Sequence, residues 1–116
     1  MKYEYVIEQV FDAIKHSNRL SALGLSDQLS MDNIKDVGDD VVAITINFES
    51  ENRVEQGDSY AISPLIGYSE DGEPLFVVNL FVEHGCLVAM DIARFDNQPL
   101  ASSGNVTVKA DTPWSD

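Results

Sequence analysis

Apolar positions near the start of the chain recur at intervals of three and four residues. This spacing predicts an amphipathic helix over residues 3–16, and Asn18 and Gly24 offer places for it to end. The apolar stripe comprises Tyr3, Val6, Ile7, Val10, Phe11 and Ile14. The other face carries Glu4, Glu8 and Asp12 at four-residue intervals. Like charges at this spacing repel, so tertiary packing must hold this helix.

Beyond residue 40 the period changes to the alternation that is typical of strands. Val42, Ile44, Ile46 and Phe48 lie on one face and predict a half-buried strand. A second strand is predicted around 59–68. Pro64 interrupts it and cannot donate a ladder hydrogen bond, which favours a sheet edge or a bulge. The polar stretch before these strands, SMDNIKDVGDD at 30–40, predicts a capped short helix or turn that ends at Gly38.

The strongest strand pattern covers Leu75–Glu83, and a turn containing Gly85 connects it to an antiparallel partner at Cys86–Phe95. The expected inward side chains are Phe76, Val78, Leu80 and Val82 on the first strand and Val88, Met90 and Ile92 on the second. The predicted fold class is α+β, with an N-terminal helix packed on an antiparallel sheet of four to five strands in meander order.

One domain over residues 1–116 is expected, because 116 residues with 44% hydrophobic content fill a single core. The tail after about residue 101 is polar, and we expect a short strand at Val106–Lys109 before it frays, with Trp114 packing back on the sheet. No apolar run reaches the roughly 18 residues of a membrane span, and no signal peptide is recognisable. The lone Cys86 fits a reducing compartment, so a cytoplasmic protein without membrane partners is expected.

The chain is strongly acidic, with 20 Asp and Glu against 7 Lys and Arg and a net charge of −13. This charge repels nucleic acids and anionic lipids and favours a basic protein partner. Residues 1–26 are neutral overall, whereas residues 27–58 carry nine acids against Lys35 and Arg53. A solubilising role alone does not require such concentration.

Residue patterns that indicate catalysis are missing from the sequence. His16 and His84 lack metal-ligand spacing, and there is no zinc-binding, calcium-binding, nucleophile-elbow or phosphate-loop motif. We therefore predict a binding protein that is not an enzyme and uses no metal or cofactor. The alternative that remains open is a small-ligand-binding or enzymatic α+β domain with a pocket between helix and sheet.

The segment Gly67–Leu100, GYSEDGEPLFVVNLFVEHGCLVAMDIARFDNQPL, has a turn, an alternating strand, a short Gly-containing turn and a second strand that ends before Gln98-Pro99-Leu100. This layout resembles small acidic bacterial proteins of toxin neighbourhoods, including immunity proteins of contact-dependent growth inhibition systems. The resemblance covers about a third of the chain. It implies that the protein binds one cognate toxin domain, often a basic nuclease, and covers its active site or substrate surface.

Candidate contacts for such a partner come from the acidic segment, with Tyr60 or Tyr68 as aromatic anchors. The acids are Asp36, Asp39, Asp40, Glu49, Glu51, Glu55 and Asp58. Glu70 and Asp71, in the turn at 70–73, form the alternative contact surface. A homo-oligomer is a third possibility, and it would use the apolar groups Leu75, Val77 and Phe81 on the second face of their strand.

Overall fold

The computed structural model describes residues 2–49, 57–112 and 114–115. Helix α1 spans Glu4–His16 and buries the predicted apolar stripe, which confirms the leading helix. Its basic last turn, with Lys15 and His16, suits the negative end of the helix dipole. The short helix α2, Asn18–Ser21, follows at once, because the Ser17 hydroxyl caps it by accepting the Leu20 N–H at 3.2 Å.

Six strands within the described residues form one sheet in the order β1-β2-β5-β4-β3-β6, and every neighbouring pair is antiparallel. The strands are β1 Ile34–Asp39, β2 Ala43–Phe48, β3 Tyr60–Tyr68, β4 Pro74–Glu83, β5 Cys86–Arg94 and β6 Thr107–Ala110. Short 3-10 helices occupy Ser26–Gln28, Met31–Asn33 and Leu100–Ser102. The α+β class is confirmed, with more strands than the predicted four to five. Within these residues no helix has the length and apolar character needed to cross a membrane.

The predicted meander order is wrong at two positions, and one of them is β6, which pairs with β3 and not with β5. Strands β3, β4 and β5 do follow one another as a meander, but β2 pairs with β5 and not with β3. Strands β5 and β4 therefore lie between β2 and β3 in the sheet. Alternation identifies a strand with one buried face but does not specify its neighbour, so the sequence pattern could not reveal this crossover.

The prediction for residues 30–40 is only half right. Ser30 does cap a short helical turn, since its hydroxyl accepts the Asp32 N–H at 3.2 Å. However, Gly38 does not end a helix, because it lies inside strand β1. A register shift between Ile34 and Asp36 interrupts the alternation of β1, which hid its period of two in the sequence.

The core lies between α1 and one face of the sheet. Phe76, Val78, Leu80 and Val82 point into it as predicted. On β5 the buried residues are Cys86, Leu87, Met90 and Ile92, so the prediction of Val88 is wrong. Phe81 pairs with Ala89 and Val82 pairs with Leu87, which leaves Val88 as the extra residue of a bulge.

Strand β3 contains the bulge that its proline favoured. The register against β4 shifts between Ile62 and Leu65, and the Pro64 carbonyl accepts the Asp111 N–H at 2.7 Å. Strand β6 pairs with the second half of β3, close to the predicted tail strand, and Trp114 is partly buried against the core as expected.

Candidate functional site

The predicted acidic contacts lie at two opposite ends of the sheet. The β1–β2 turn, with Asp39 and Asp40, shares one end with the β3–β4 turn, which holds Glu70 and Asp71. Glu49 follows β2 and Asp58 precedes β3, so both lie at the other end. Strands of six to ten residues separate the two ends by roughly 20–30 Å. The acidic segment 27–58 therefore does not form a single surface.

The remaining predicted acids have separate positions. Asp36 pairs with Asn47 on the sheet face opposite α1, where its carboxylate accepts the Asn47 side-chain N–H at 2.7 Å. Glu51 and Glu55 lie outside the described residues.

The two candidate aromatic anchors also lie at different ends of the sheet. Tyr60 begins β3 and is partly buried against the core; this burial, with a contribution from the charge of Asp58, raises the pKa of its hydroxyl. Tyr68 ends β3 beside the acidic turn at 70–73 and is half-buried. The Lys109 ammonium lies 5.7 Å from the centre of the Tyr68 ring, in cation–π range.

The end of the sheet that holds the two acidic turns also exposes a phenylalanine. Phe95 directly follows β5, the strand between β2 and β4, and its side chain is 54% exposed. With strands about 4.8 Å apart, the strand position of Phe95 lies roughly 7 Å to the side of the middle of each turn. We call this surface the acidic end; its members are Asp39, Asp40, Val41, Glu70, Asp71, Glu73, Phe95 and Asp96.

The β1–β2 turn is held in place by the Asp39 carboxylate. One oxygen, Oδ1, accepts the Tyr3 hydroxyl at 2.8 Å and the Val41 N–H at 2.8 Å. The hydrogen bond from Tyr3, followed by that from Val41, lowers the pKa of Asp39 below its ordinary value, and the more distant Lys2 adds to this. Burial of Tyr3, reinforced by its bond to Asp39, raises the pKa of the phenol.

Val41 occupies an unusual conformation in this turn. Its φ is +63°, in the left-handed region that β-branched residues avoid, and its side chain is 57% exposed. Backbone bonds on both sides hold it there, because the Leu100 N–H donates to the Val41 carbonyl at 2.8 Å and the Arg94 N–H to the Val42 carbonyl at 2.9 Å. The turn is thus fixed to the end of β5 while an apolar side chain faces solvent.

Asp96 is positioned by a forked hydrogen bond from Arg94. The guanidinium donates from Nε at 3.0 Å and from Nη2 at 2.8 Å to the two carboxylate oxygens, and from Nη1 to Ser103 at 3.0 Å. These bonds lower the pKa of Asp96, with a smaller contribution from the Gln98 N–H. The Arg94 side chain is only 6% exposed whereas that of Asp96 is 50% exposed. The cation therefore lies beneath the surface and the carboxylate upon it.

The β3–β4 turn is similarly ordered by its own hydrogen bonds. Ser69 exchanges backbone bonds with Gly72 and Glu73, and its hydroxyl accepts the Glu73 N–H at 3.2 Å. The Glu70 carboxylate accepts the Asn105 side-chain N–H at 2.7 Å. Asp71 and Glu73 are exposed. The carboxylates of the acidic end therefore outnumber Lys2 and Arg94, the cations that form ion pairs there.

Sequence reasoning identified four of the eight residues of the acidic end as candidate contacts and included a fifth, Glu73, in the turn at 70–73. It missed Val41, Phe95 and Asp96. It treated Phe95 as the last residue of a strand. An aromatic residue followed by Asp96-Asn97 at a strand terminus is the signal that could have marked an exposed side chain.

The described residues contain no group of three or more His, Cys, Asp or Glu side chains that could hold a metal ion. A groove of about 380 Å³ beside α1 is open to solvent and lined by Glu8, Phe11, Asp12, Lys15 and residues 29–32. The space between α1 and the sheet is instead filled by fully buried side chains such as Ile7, Ile14 and Leu80. Comparison of the chain with protein-family models, curated proteins and solved structures found no match.

Proposed function

We propose that this chain is a cytoplasmic immunity protein that binds and neutralises a cognate cationic toxin domain, a nuclease by expectation, by covering its active site or substrate surface. The observation that carries the proposal is Phe95, an exposed aromatic side chain between two acidic turns at the acidic end. No catalytic step, metal or cofactor is part of the proposal.

A central apolar anchor within a polar rim is the arrangement that gives protein interfaces most of their affinity. Phe95 is such an anchor, and the exposed Val41 lies on the neighbouring turn. The rim consists of carboxylates on both sides, which accept hydrogen bonds from Arg and Lys and which resemble the phosphates that a nuclease binds. The charge of −13 would speed encounter with a basic domain, and the apolar contacts would slow dissociation.

The rigidity of the acidic end supports the same function. Both turns and Asp96 are fixed by hydrogen bonds before any partner arrives. Such preorganisation reduces the entropy lost when a complex forms. It also explains how a surface with several like charges keeps a defined shape.

The first experiment measures binding to the C-terminal domain encoded by the gene directly upstream, prepared in an inactive form. We expect the two proteins to co-purify with a dissociation constant below about 0.1 μM, as in specific complexes with interfaces of standard size. We also expect this chain to rescue growth when the active domain is expressed. Absence of binding and of rescue would refute the proposed function.

The anchor is tested with Phe95→Ala, and Tyr5→Ala is the matched control, since Tyr5 is an aromatic residue of α1 that is 45% exposed. Truncation of an interface anchor costs about 2 kcal/mol or more, so Phe95→Ala should weaken binding roughly 30-fold. The control should change it less than about twofold, within the small range of changes outside a hot spot. Equal effects of the two variants would contradict the assignment of Phe95.

The rim is tested with the double variant Asp40→Asn, Asp71→Asn, which removes one carboxylate charge from each of the two acidic turns without changing side-chain size. Asp27→Asn with Asp58→Asn is the matched control away from this end. Loss of rim charge should slow association and flatten its salt dependence more in the first variant than in the control. If both variants change the salt dependence of the association rate equally, only the net charge of the protein matters and the acidic end is not the contact surface.

A further inference from the structure

The sheet face opposite α1, which we call the outer face, has no covering layer among residues 2–49, 57–112 and 114–115. Helix α1, helix α2 and the 3-10 helix Leu100–Ser102 all bury their apolar side chains in the core on the other side. Strand register defines the outer face as Ala43, Ala93, Val77 and Ile66 in one row, Thr45, Asp91 and Asn79 in the next, and Asn47, Ala89, Phe81 and Ala61 in the third.

The outer face is more apolar than the solvent-facing side of most antiparallel sheets. Strands in such sheets normally alternate apolar residues toward the core with polar residues toward solvent. Val77, Ile66 and Phe81 lie on it together with four alanines, and Phe81 is 36% exposed. The residues expected for a homo-oligomer are only partly gathered here. Val77 and Phe81 belong to the outer face, whereas Leu75 packs against the core.

Asp91 lies near the centre of the outer face. It pairs in register with Thr45 on β2 and Asn79 on β4, and Ala89 and Ala93 flank it along β5. It is partly buried, and among the described residues no side chain donates to its carboxylate, while Asn79 is engaged by the Ser63 hydroxyl at 2.6 Å. The ion pairs of the described residues do not include Asp91, so its charge has no cationic partner there.

The short side chains beside Asp91 leave room for a long one from a partner. We call the strip of short side chains from Ala89 to Ala93 the β5 channel; it extends about 14 Å along the strand, at about 3.4 Å per residue. Val77 and Phe81 border it on β4, and Thr45 and Asn47 border it on β2. An extended Arg or Lys side chain fits such a channel, with its cation at the carboxylate.

Charge distinguishes between the occupants that could cover this face. A second copy of the chain would bring another net charge of −13, with its own Asp36 and Asp91 on the approaching surface. The cation Lys109 also lies on this face, where strand register places it beside Ile66 on the edge strand β6. A cationic domain instead supplies the charge that Asp91 lacks.

We infer that the outer face is the second part of the docking surface and that Asp91 receives an Arg or Lys side chain of the cationic toxin domain along the β5 channel. The inference rests on the proposed function. The outer face adjoins the acidic end, because Ala93 is two residues before Phe95 and Ala43 two residues after Val41. One partner can therefore contact both surfaces at once.

The test uses the inactive C-terminal domain of the upstream gene product as the probe. Two face variants alter the outer face: Asp91→Asn removes the charge at constant size, and Ala93→Gln fills the β5 channel. Their matched controls are Asp12→Asn on α1 and Ala22→Gln after α2, both in exposed positions outside the sheet. Each face variant should raise the dissociation constant at least about tenfold, mainly through faster dissociation, and each control less than about twofold. Thermal unfolding of all four variants checks that the fold is retained.

The outcomes separate this inference from the function on which it rests. If the wild-type protein binds, Phe95→Ala weakens binding and both face variants behave like their controls, the inference is overturned and the proposed function stands. If the wild-type protein does not bind the domain, the proposed function fails and the inference fails with it. If the isolated protein sediments as a dimer that Ala93→Gln dissociates, a second copy covers the outer face and the inference is likewise overturned.

Discussion

Replacing Val41 with glycine should make the isolated protein more stable although it removes a side chain. Val41 has a φ of +63°, and non-glycine residues in sparsely populated regions cost of order 1–3 kcal/mol, more for β-branched ones. Glycine adopts this conformation without strain. The Val41 side chain is 57% exposed, so its removal sacrifices little burial.

The opposing effect comes from the unfolded chain. Glycine loses about 0.5–1 kcal/mol more backbone entropy on folding than residues with a Cβ. Subtracted from a strain near 2 kcal/mol, this leaves a net stabilisation of about 1 kcal/mol. For a domain of this size that corresponds to a rise in the melting temperature of roughly 4 °C.

Urea unfolding followed by the fluorescence of Trp114 measures this difference directly. Val42→Gly is the matched control, since Val42 is partly buried and is not among the residues with positive φ. The control should lose stability while Val41→Gly gains it. Equal losses in the two variants, or any loss in Val41→Gly, would refute the strain argument.

Two further predictions concern the fold around the acidic end. Tyr3→Phe should raise the carboxyl pKa of Asp39 in an NMR titration, because the phenol donates the hydrogen bond that lowers it below 3.8. The part of the wild-type advantage in stability that comes from this pKa shift should be present above that pH and be lost as the pH falls through the folded pKa. An advantage that did not shrink in acid would contradict the assignment. Gly67→Ala should destabilise the protein by about 1–3 kcal/mol through overpacking, because its Cβ would overlap the buried Phe76 ring. Gly38→Ala, where the nearest atom is 3.8 Å away, should cost less, and equal urea midpoints for the two would refute this reasoning.

The elements that the sequence predicted best are those that bury one side at a regular period over most of their length. Helix α1 and strands β4 and β5 each bury one side along most of their length, so apolar residues recur at three to four or at two. The errors occur where a bulge breaks the period, at Lys35 in β1 and at Val88 in β5. The β5 bulge is stabilised by Gln28, whose side chain accepts the Leu87 N–H at 2.8 Å, a contact 59 residues apart that no local pattern contains.

The acidic end could be predicted only in part, for a topological reason. Composition indicated Asp39 and Asp40 in one segment and Glu70 and Asp71 in another as alternative contact surfaces. They share one end of the sheet because β1–β2 and β3–β4 are both hairpins that turn there. Phe95 lies between them because β5 inserts between β2 and β4, which is the crossover that the meander prediction missed.

The features of the acidic end and the outer face argue against solubility as the whole reason for the acidity. Solubility alone does not explain why a β-branched residue is held in the left-handed region at the same end of the sheet as an exposed phenylalanine. Proteins give up stability in this way at functional sites, where local rules of folding conflict with what a surface must present. These features lie on two adjoining surfaces, the acidic end and the outer face that α1 leaves uncovered. This arrangement favours a single large partner over several small ones.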